Sequence, residues 1–407
     1  MRISKHALLW LGLAGIGVFF AFNQPGLRHS FFGHTNPVYD QESLEILESL
    51  PYLAWAPIPS VDVRKTGVTY NDTRLTCPGY NLYHSAKKPE ALLMDMQGRI
   101  VHRWDYPLSR TWNTTHLDQD GNLFFIEEGK SLGKLDWASR TQWVKPGHFH
   151  HWIDIAENGD IYTLVRRKRD LHIGGEVRPV WDDLLTVLSP QGTVKKQVSL
   201  YDAMIGHEWL ARVHKKVLHF NKPRKRHELL DYTYELFHAN SVEYIDRDIA
   251  GFSRAGDVLI SIKKLDLLAV IDMQNKQLRW AWGDDQLKWQ HSALLLASGN
   301  VLVFDNGRRN RRFSRVIELE PSSKRIIWEY RGDPPESLYA PSQSGCQRLP
   351  NGNTLMTIAN RGYVFEVTPD KKVVWEFFNP DIGRYQGKDN QRGSIYRMTR
   401  YPESIFD

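Results

Sequence analysis

Histidines recur at one phase of a repeating turn. His151 lies eight residues before Gly159 and His291 eight before Gly299, while His238 opens the corresponding strand before Gly256 with a longer stretch between. Ser344 holds the same phase before Gly352, so not every repeat carries an imidazole. A trio of converging imidazoles permits two chemistries. One is a transition-metal site; the other is a metal-free site in which one histidine is a nucleophile and the others steady an anion. No Asp or Glu stands beside these histidines in the pattern of hydrolytic metal enzymes, whereas Asn240, Lys263 and Lys264 offer donors for oxyanions. That favours a site without metal or cofactor.

The elements that would bring the histidines together are strands. Turn-plus-strand signals recur at Asp120-Gly121-Asn122-Leu123, Asn158-Gly159-Asp160-Ile161, Gly256-Asp257-Val258-Leu259, Ser298-Gly299-Asn300-Val301 and Asn351-Gly352-Asn353-Thr354. Strands ending in tryptophan close the units: Ile100 to Trp104, Arg140 to Trp143, Gln277 to Trp282, Arg325 to Trp328 and Lys372 to Trp375. Counting gives six units, Asn81–Tyr106, His116–Lys145, His150–Leu200, Phe237–Gly283, Gln290–Arg331 and Ser342–Phe378, spaced by roughly 40 residues as four-stranded propeller blades are. The fold expected is all-β, a six-bladed β-propeller over residues 79–380, closed upon by a C-terminal tail, 381–407. In a propeller the first strand of each blade lines the central channel, so residues just ahead of the turn glycines converge there.

A chain of 407 residues, 41% hydrophobic and 12% aromatic, can bury a large core, which excludes a disordered or fibrous protein. The net charge of +6 is locally concentrated in Arg166 to Arg169, Lys215 to His227 and Arg308 to Arg312, patches that are either solvated loops between strands or a rim that attracts anionic substrates or lipid headgroups. No nucleic-acid motif accompanies it. Arg2 and Lys5 precede an apolar run from Ala7 to Phe22, so residues 1–23 read as a signal sequence or membrane anchor, taken as a retained anchor with the rest outside the cytoplasm. Residues 24–78 read as a stalk and N-terminal extension. Cys77 and Cys346 are either a disulfide joining the first and last repeats or two separate buried thiols. The basic segment Ala211 to Glu235 reads as a projecting loop or short helix, either inert or a lid or membrane contact. Asn71-Asp72-Thr73 and Asn113-Thr114-Thr115 are glycosylation sequons that matter only in a eukaryotic secretory route.

His238-Ala239-Asn240-Ser241-Val242, Gln290-His291-Ser292-Ala293 and Phe304-Asp305-Asn306-Gly307 followed by Phe313-Ser314-Arg315 resemble the arylsulfotransferases that use aryl sulfate donors. The resemblance runs from about Asn81 to Phe378. It implies a six-bladed propeller in which His291 is transiently sulfated, His151 and His238 with Asn240 hold the sulfuryl group, and a phenolic hydroxyl accepts it. The family's sulfate-binding arginine falls on Lys263, a point charge where arginine offers a planar fork. Two other readings compete: a non-catalytic propeller that binds anionic or carbohydrate ligands, and a quinone-cofactor dehydrogenase suggested by the tryptophan-rich units. Packing explains those tryptophans, and no calcium-ligand cluster accompanies them.

Overall fold

The computed structural model describes residues 38–49, 53–219, 233–283, 285–308 and 311–406. Six antiparallel sheets follow one another along the chain. The second to sixth take their first strands from Thr114–Leu117, Phe149–Ile155, Ala239–Tyr244, His291–Leu295 and Gly345–Arg348, and each then meanders through three more strands. The first sheet is assembled differently: Tyr80–Tyr83, Glu90–Met94 and Ile100–Asp105 receive their edge strand, Thr399–Tyr401, from the C-terminus. The first strands of successive sheets lie against each other.

Two interactions close the succession. Arg400, on the C-terminal strand, donates from Nε to Asn81 Oδ1 at 2.9 Å and from Nη1 to the Cys77 carbonyl at 3.0 Å, and it also pairs with Glu366 of the sixth sheet. Both partners of that ion pair are buried, with side-chain exposures of 1% and 0%. Glu366 in turn accepts from the Cys77 amide at 2.8 Å and from Asn353 Nδ2 at 2.6 Å, so its buried carboxylate has three donors around it. The outer tryptophans do the second job. Trp143 Nε1 donates to the Pro190 carbonyl of the next sheet's outer turn, Trp328 to Pro369, and Trp375 of the sixth sheet reaches forward to Met96 of the first. At these three positions tryptophan near the end of a fourth strand has a cause: an indole long enough to span to the neighbouring sheet while its body packs apolar surface.

Several expectations change here. Cys77 and Cys346 are free, buried thiols on separate elements, so the staple is made by Arg400 and Glu366 instead of a disulfide. Burial pushes the Cys346 thiol up to about 12, which keeps it inert. The described part of the segment read as a stalk is packed. Gly67–Asn71 adds a fifth strand to the sixth sheet, Trp55–Pro57 joins a small sheet with Lys388–Gly393 and Ile382–Tyr385, and Leu44 and Leu47 of the helix Gln41–Ser49 cluster with Ala56 and Tyr339. The insertion between the third and fourth sheets opens with a helix, Glu208–Leu218, whose Trp209, Leu210, Val213 and Val217 enter the largest core cluster. It is amphipathic, not wholly polar; residues 220–232 of the insertion lie outside the described residues. The apolar run 7–22 also lies outside them. Among the described residues no helix is long and apolar enough to cross a membrane.

Arg400→Ala strands the Glu366 carboxylate in the seam between sixth and first sheets. It is expected to cost about 3–5 kcal/mol, read as a lowered midpoint in urea unfolding; an unchanged midpoint would show that the seam closes without it.

Candidate active site

In the second to sixth sheets the first and second strands form a hairpin on the turn glycine, and at the far end of that ladder stand the residues that matter. Seven residues after the glycines come Glu128, Arg166, Lys263, Asn306 and Ala359. They face the residues at the histidine phase, and the pairs touch. His291 meets Asn306 at 2.7 Å, His238 meets Lys263 at 3.4 Å, Asn113 bonds Glu128, and the Ala359 amide donates to Ser344 Oγ at 3.0 Å. Bulges interrupt the ladders between His150 and Ile153, Ala239 and Ser241, and His291 and Leu294. His151, His238, Ser292 and Ser344 have φ of 64°, 53°, 55° and 75°, left-handed values that non-glycine residues adopt at a cost of about 1–3 kcal/mol where the surroundings impose them. Bulge and strain together turn the strand tops inward.

His151, His238 and His291 are brought together. The rings of His151 and His238 sit edge to face at 4.8 Å between centroids, and all three are buried. The hydrogen-bond partners fix which nitrogen of each ring carries the proton. Asn306 spends both amide hydrogens on carbonyls, Ala340 at 2.8 Å and Gln343 at 2.9 Å, so its Oδ1 must face His291, and it can only accept. His291 therefore carries its proton on Nδ1 and a lone pair on Nε2. His238 Nδ1 lies 2.6 Å from Glu235 Oε2, which likewise places the proton there and leaves Nε2 toward Lys263. His151 Nδ1 lies 2.8 Å from His150 Nδ1, and the far nitrogen of His150 faces the Asp183 carboxylate at 3.3 Å. With His150 protonated toward Asp183, His151 too donates from Nδ1.

Charge completes the arrangement. Burial first, then the neighbouring Lys263 ammonium, lowers His291 to about 3, and burial with neighbouring imidazoles and cations holds His151 and His238 well below the ordinary histidine value. The trio is neutral at pH 7. Lys263, 4% exposed, lies 4.4 Å from the centroid of Trp289, and Arg308 stacks on the same ring at 3.2 Å. Glu235 is the hub of the rim: Arg166 reaches it at 2.7 Å, Lys264 Nζ at 3.5 Å, and Lys264 also donates to its backbone carbonyl. Lys216 of the inserted helix donates to the Lys264 carbonyl, which ties that helix to the mouth.

Asn240 is buried beside the trio, but one of its amide hydrogens goes to the Gln290 carbonyl at 2.8 Å, the residue before His291. It thereby ties the fourth sheet to the strand of His291. The sequence reading did not name Glu235, Arg166, His150, Asp183, Trp289 or Arg308 as site residues, and it quoted Asn306 only within a motif. Counting seven forward from each turn glycine, as eight were counted back, would have found Asn306 and Arg166. Asn113 of the second sequon is 3% exposed and its amide is bonded to Glu128, so it is closed to glycosylation in the folded chain.

The arylsulfotransferase (ASST) family profile matches residues 114–380, and the chain belongs to that family. No curated protein matches it. Among solved structures it is similar to a protein of unknown function from Bacteroides caccae, with TM-score 0.51 and 13% identity over 79% of this chain and 98% of that one. It is also similar to a streptogramin B lyase, with TM-score 0.45 and 12% identity over 82% and 87%. A third is the β-propeller domain of Cps50 (Swd1) from Myceliophteria thermophila, with TM-score 0.46 and 10% identity over 78% and 88%. At 13% identity the Bacteroides likeness is one of fold.

Neutral buried imidazoles make stability depend on pH in a stated direction. Their folded pKa values lie below the unfolded value near 6.5, so the unfolded chain binds more protons as pH falls, and stability is lost below that value. His84 and His116, lowered by burial to about 3 and about 4, add to the same sign; Asp154, raised to about 6, and Glu243, raised well above its ordinary value, both mainly by burial, oppose it. Each depressed histidine contributes a slope of about 1.4 kcal/mol per pH unit between its two values. Urea unfolding at pH 7 and pH 5 should show a lower free energy at pH 5. Equal values would mean the imidazoles are charged in the fold.

Proposed function

We propose that this arylsulfotransferase-family chain moves a sulfuryl group from an aryl sulfate to a phenolic hydroxyl by way of sulfated His291. In this reading the six sheets are the blades of one propeller whose mouth holds the site. The observation that carries it is the Asn306 anchor. Two carbonyls fix the Asn306 amide, Asn306 fixes the His291 proton on Nδ1, and the low pKa keeps Nε2 unprotonated.

The first half-reaction then follows. His291 Nε2 attacks sulfur, the N–S bond forms as the aryl O–S bond breaks, and the electron pair of that bond goes to the phenolic oxygen, where the ring delocalises the developing charge. In the second half the acceptor hydroxyl oxygen attacks the sulfur as its proton passes to a basic group of the site, the N–S bond breaks, and the electron pair returns to Nε2. The negative sulfuryl oxygens need donors. In their neutral forms His151 and His238 present lone pairs, not N–H groups, on the side away from their Nδ1 partners, so the resting donors are the cations, Lys263 and Arg308 foremost. A bound anion raises the proton affinity of His151 and His238, and protonated on Nε2 they become donors in turn. Catalysis at this centre requires no further group.

The site's basic rim suits the negative charge of an aryl sulfate. The location follows from the N-terminal pattern of charge and apolar residues: we place the catalytic domain outside the cytoplasm, held to the membrane by residues 1–23.

Wild-type protein incubated with an aryl sulfate and no acceptor should gain one SO3 on the His291 peptide by mass spectrometry, and His291→Asn should gain none and transfer none. Full transfer by His291→Asn would overturn the assignment. Asn306→Leu, which frees the ring to take the other tautomer, should slow formation of the adduct by about 10²- to 10⁴-fold, while Asn306→Asp, which still accepts from Nδ1, should lose less.

A further inference from the structure

Lys263 occupies a position that a charge alone does not explain. It leaves the second strand of the fourth sheet as the partner of His238, its amide donating to the His238 carbonyl at 3.3 Å and its Nζ lying 3.4 Å from His238 Nε2. The Trp289 ring packs against Nζ at 4.4 Å from the strand leading to His291, and Arg308 stacks on that ring from the fifth sheet. The groups whose charge reaches it are Glu235 from the strand beside the third sheet, Glu128 from the second sheet, and Arg308 and Lys264, with His238 and His291 as the neutral rings it acts on. Arg308 supplies a permanent cation here, because a guanidinium does not deprotonate in proteins. Lys263 is the one cation on Trp289 able to give up and take back a proton, and its charge is already felt at His291.

We propose that Lys263 is the proton shuttle joining the two half-reactions. As the donor's aryl O–S bond breaks, the Lys263 ammonium gives its proton to the leaving phenolate oxygen, so a neutral phenol departs and Lys263 is left as an amine. In the second half the acceptor phenol gives its proton to that amine as its oxygen forms the new O–S bond and His291 Nε2 recovers its electron pair. Lys263 ends as it began, and no proton is exchanged with solvent over the cycle. Burial opposes the ammonium and lowers Lys263 to about 7, which lets both forms serve near neutral pH.

The proposal rests on His291 as the sulfated nucleophile, and the test separates the two. Burst release of phenol is measured for a series of substituted phenyl sulfates, from 4-nitrophenyl to unsubstituted phenyl, in wild type, Lys263→Arg and Lys263→Ala. Lys263→Arg keeps a cation and removes the transferable proton. It is expected to slow phenyl sulfate about 10²-fold more than 4-nitrophenyl sulfate, because only the less acidic phenol needs protonating as it leaves. The wild-type burst with phenyl sulfate should fall as pH rises through 7, and that fall should vanish in Lys263→Arg. Added methylamine should restore phenyl sulfate turnover to Lys263→Ala. Equal dependence on leaving-group acidity in wild type and Lys263→Arg, or failure of methylamine to rescue a Lys263→Ala protein that still forms the His291 adduct with 4-nitrophenyl sulfate, would overturn the shuttle and leave the nucleophile standing. Absence of any adduct on wild-type His291 would instead remove the reading on which it rests.

Discussion

The hairpin made by the first two strands of the second to sixth sheets governs the site. Because the pairing is antiparallel, a residue eight before the turn glycine and one seven after it meet beyond the end of the ladder in the second, fifth and sixth sheets, and in the fourth the longer connection from His238 to Gly256 brings the corresponding positions together. The fold therefore delivers pairs, not single residues: His291 with Asn306, His238 with Lys263, Asn113 with Glu128, Ser344 with Ala359. Side-chain chemistry varies at these positions while the geometry does not. In the fifth sheet the pair is an imidazole and the amide that sets its tautomer. In the fourth it is an imidazole and an ammonium. In the sixth it is a serine hydroxyl and a backbone amide, which stabilises the loop and has no chemistry to offer.

Holding such pairs against one another requires that the sheets cannot slide. The outer edge is pinned by indoles that each cross to the next sheet's turn, and the seam between the last and first sheets by the buried ion pair of Arg400 with Glu366. A buried ion pair is a poor source of net stability, since desolvation consumes most of the attraction. Its use at the seam is better understood as registration: Arg400 has hydrogen-bond partners on Asn81, Cys77 and Glu366, and a strand shifted by one residue would leave all of them unsatisfied.

The repeat was legible because turn glycines and terminal tryptophans mark each unit at nearly constant spacing, and so the histidine phase and Lys263 could be read directly. What escaped was of two kinds. Glu235 lies three residues before His238, yet it belongs to an insertion and pairs in parallel with a strand of the third sheet, a contact that no periodicity announces. The helix Glu208–Leu218 was hidden by its lysines, since a count of charges ignores that Trp209, Val213 and Val217 fall on one face. The strands Gly67–Asn71 and Trp55–Pro57 are short and sit at sheet edges, where alternation is too brief to separate a strand from a polar linker. The two cysteines were undecidable from spacing alone, because a disulfide depends on whether two Cβ atoms face each other.

The electrostatic design of the mouth follows from neutrality at its centre. Each imidazole of the trio has its Nδ1 proton committed, His291 to an amide oxygen, His238 to a carboxylate and His151 to His150, so the remaining nitrogen of every ring is a lone pair facing away from that partner. A cluster of lone pairs with no proton among them repels an incoming anion and would bind it poorly. The cations around the rim correct this, and they are not equivalent. Arg166 and Lys264 are neutralised by Glu235, the same carboxylate that orients His238, and serve chiefly to hold it. Lys263 and Arg308 meet on Trp289, whose ring face attracts both, and the charges of Glu235 and Glu128 also reach Lys263. Positive charge thus gathers beside His291, with Lys263 and Arg308 on one aromatic face and Arg166 and Lys264 around Glu235.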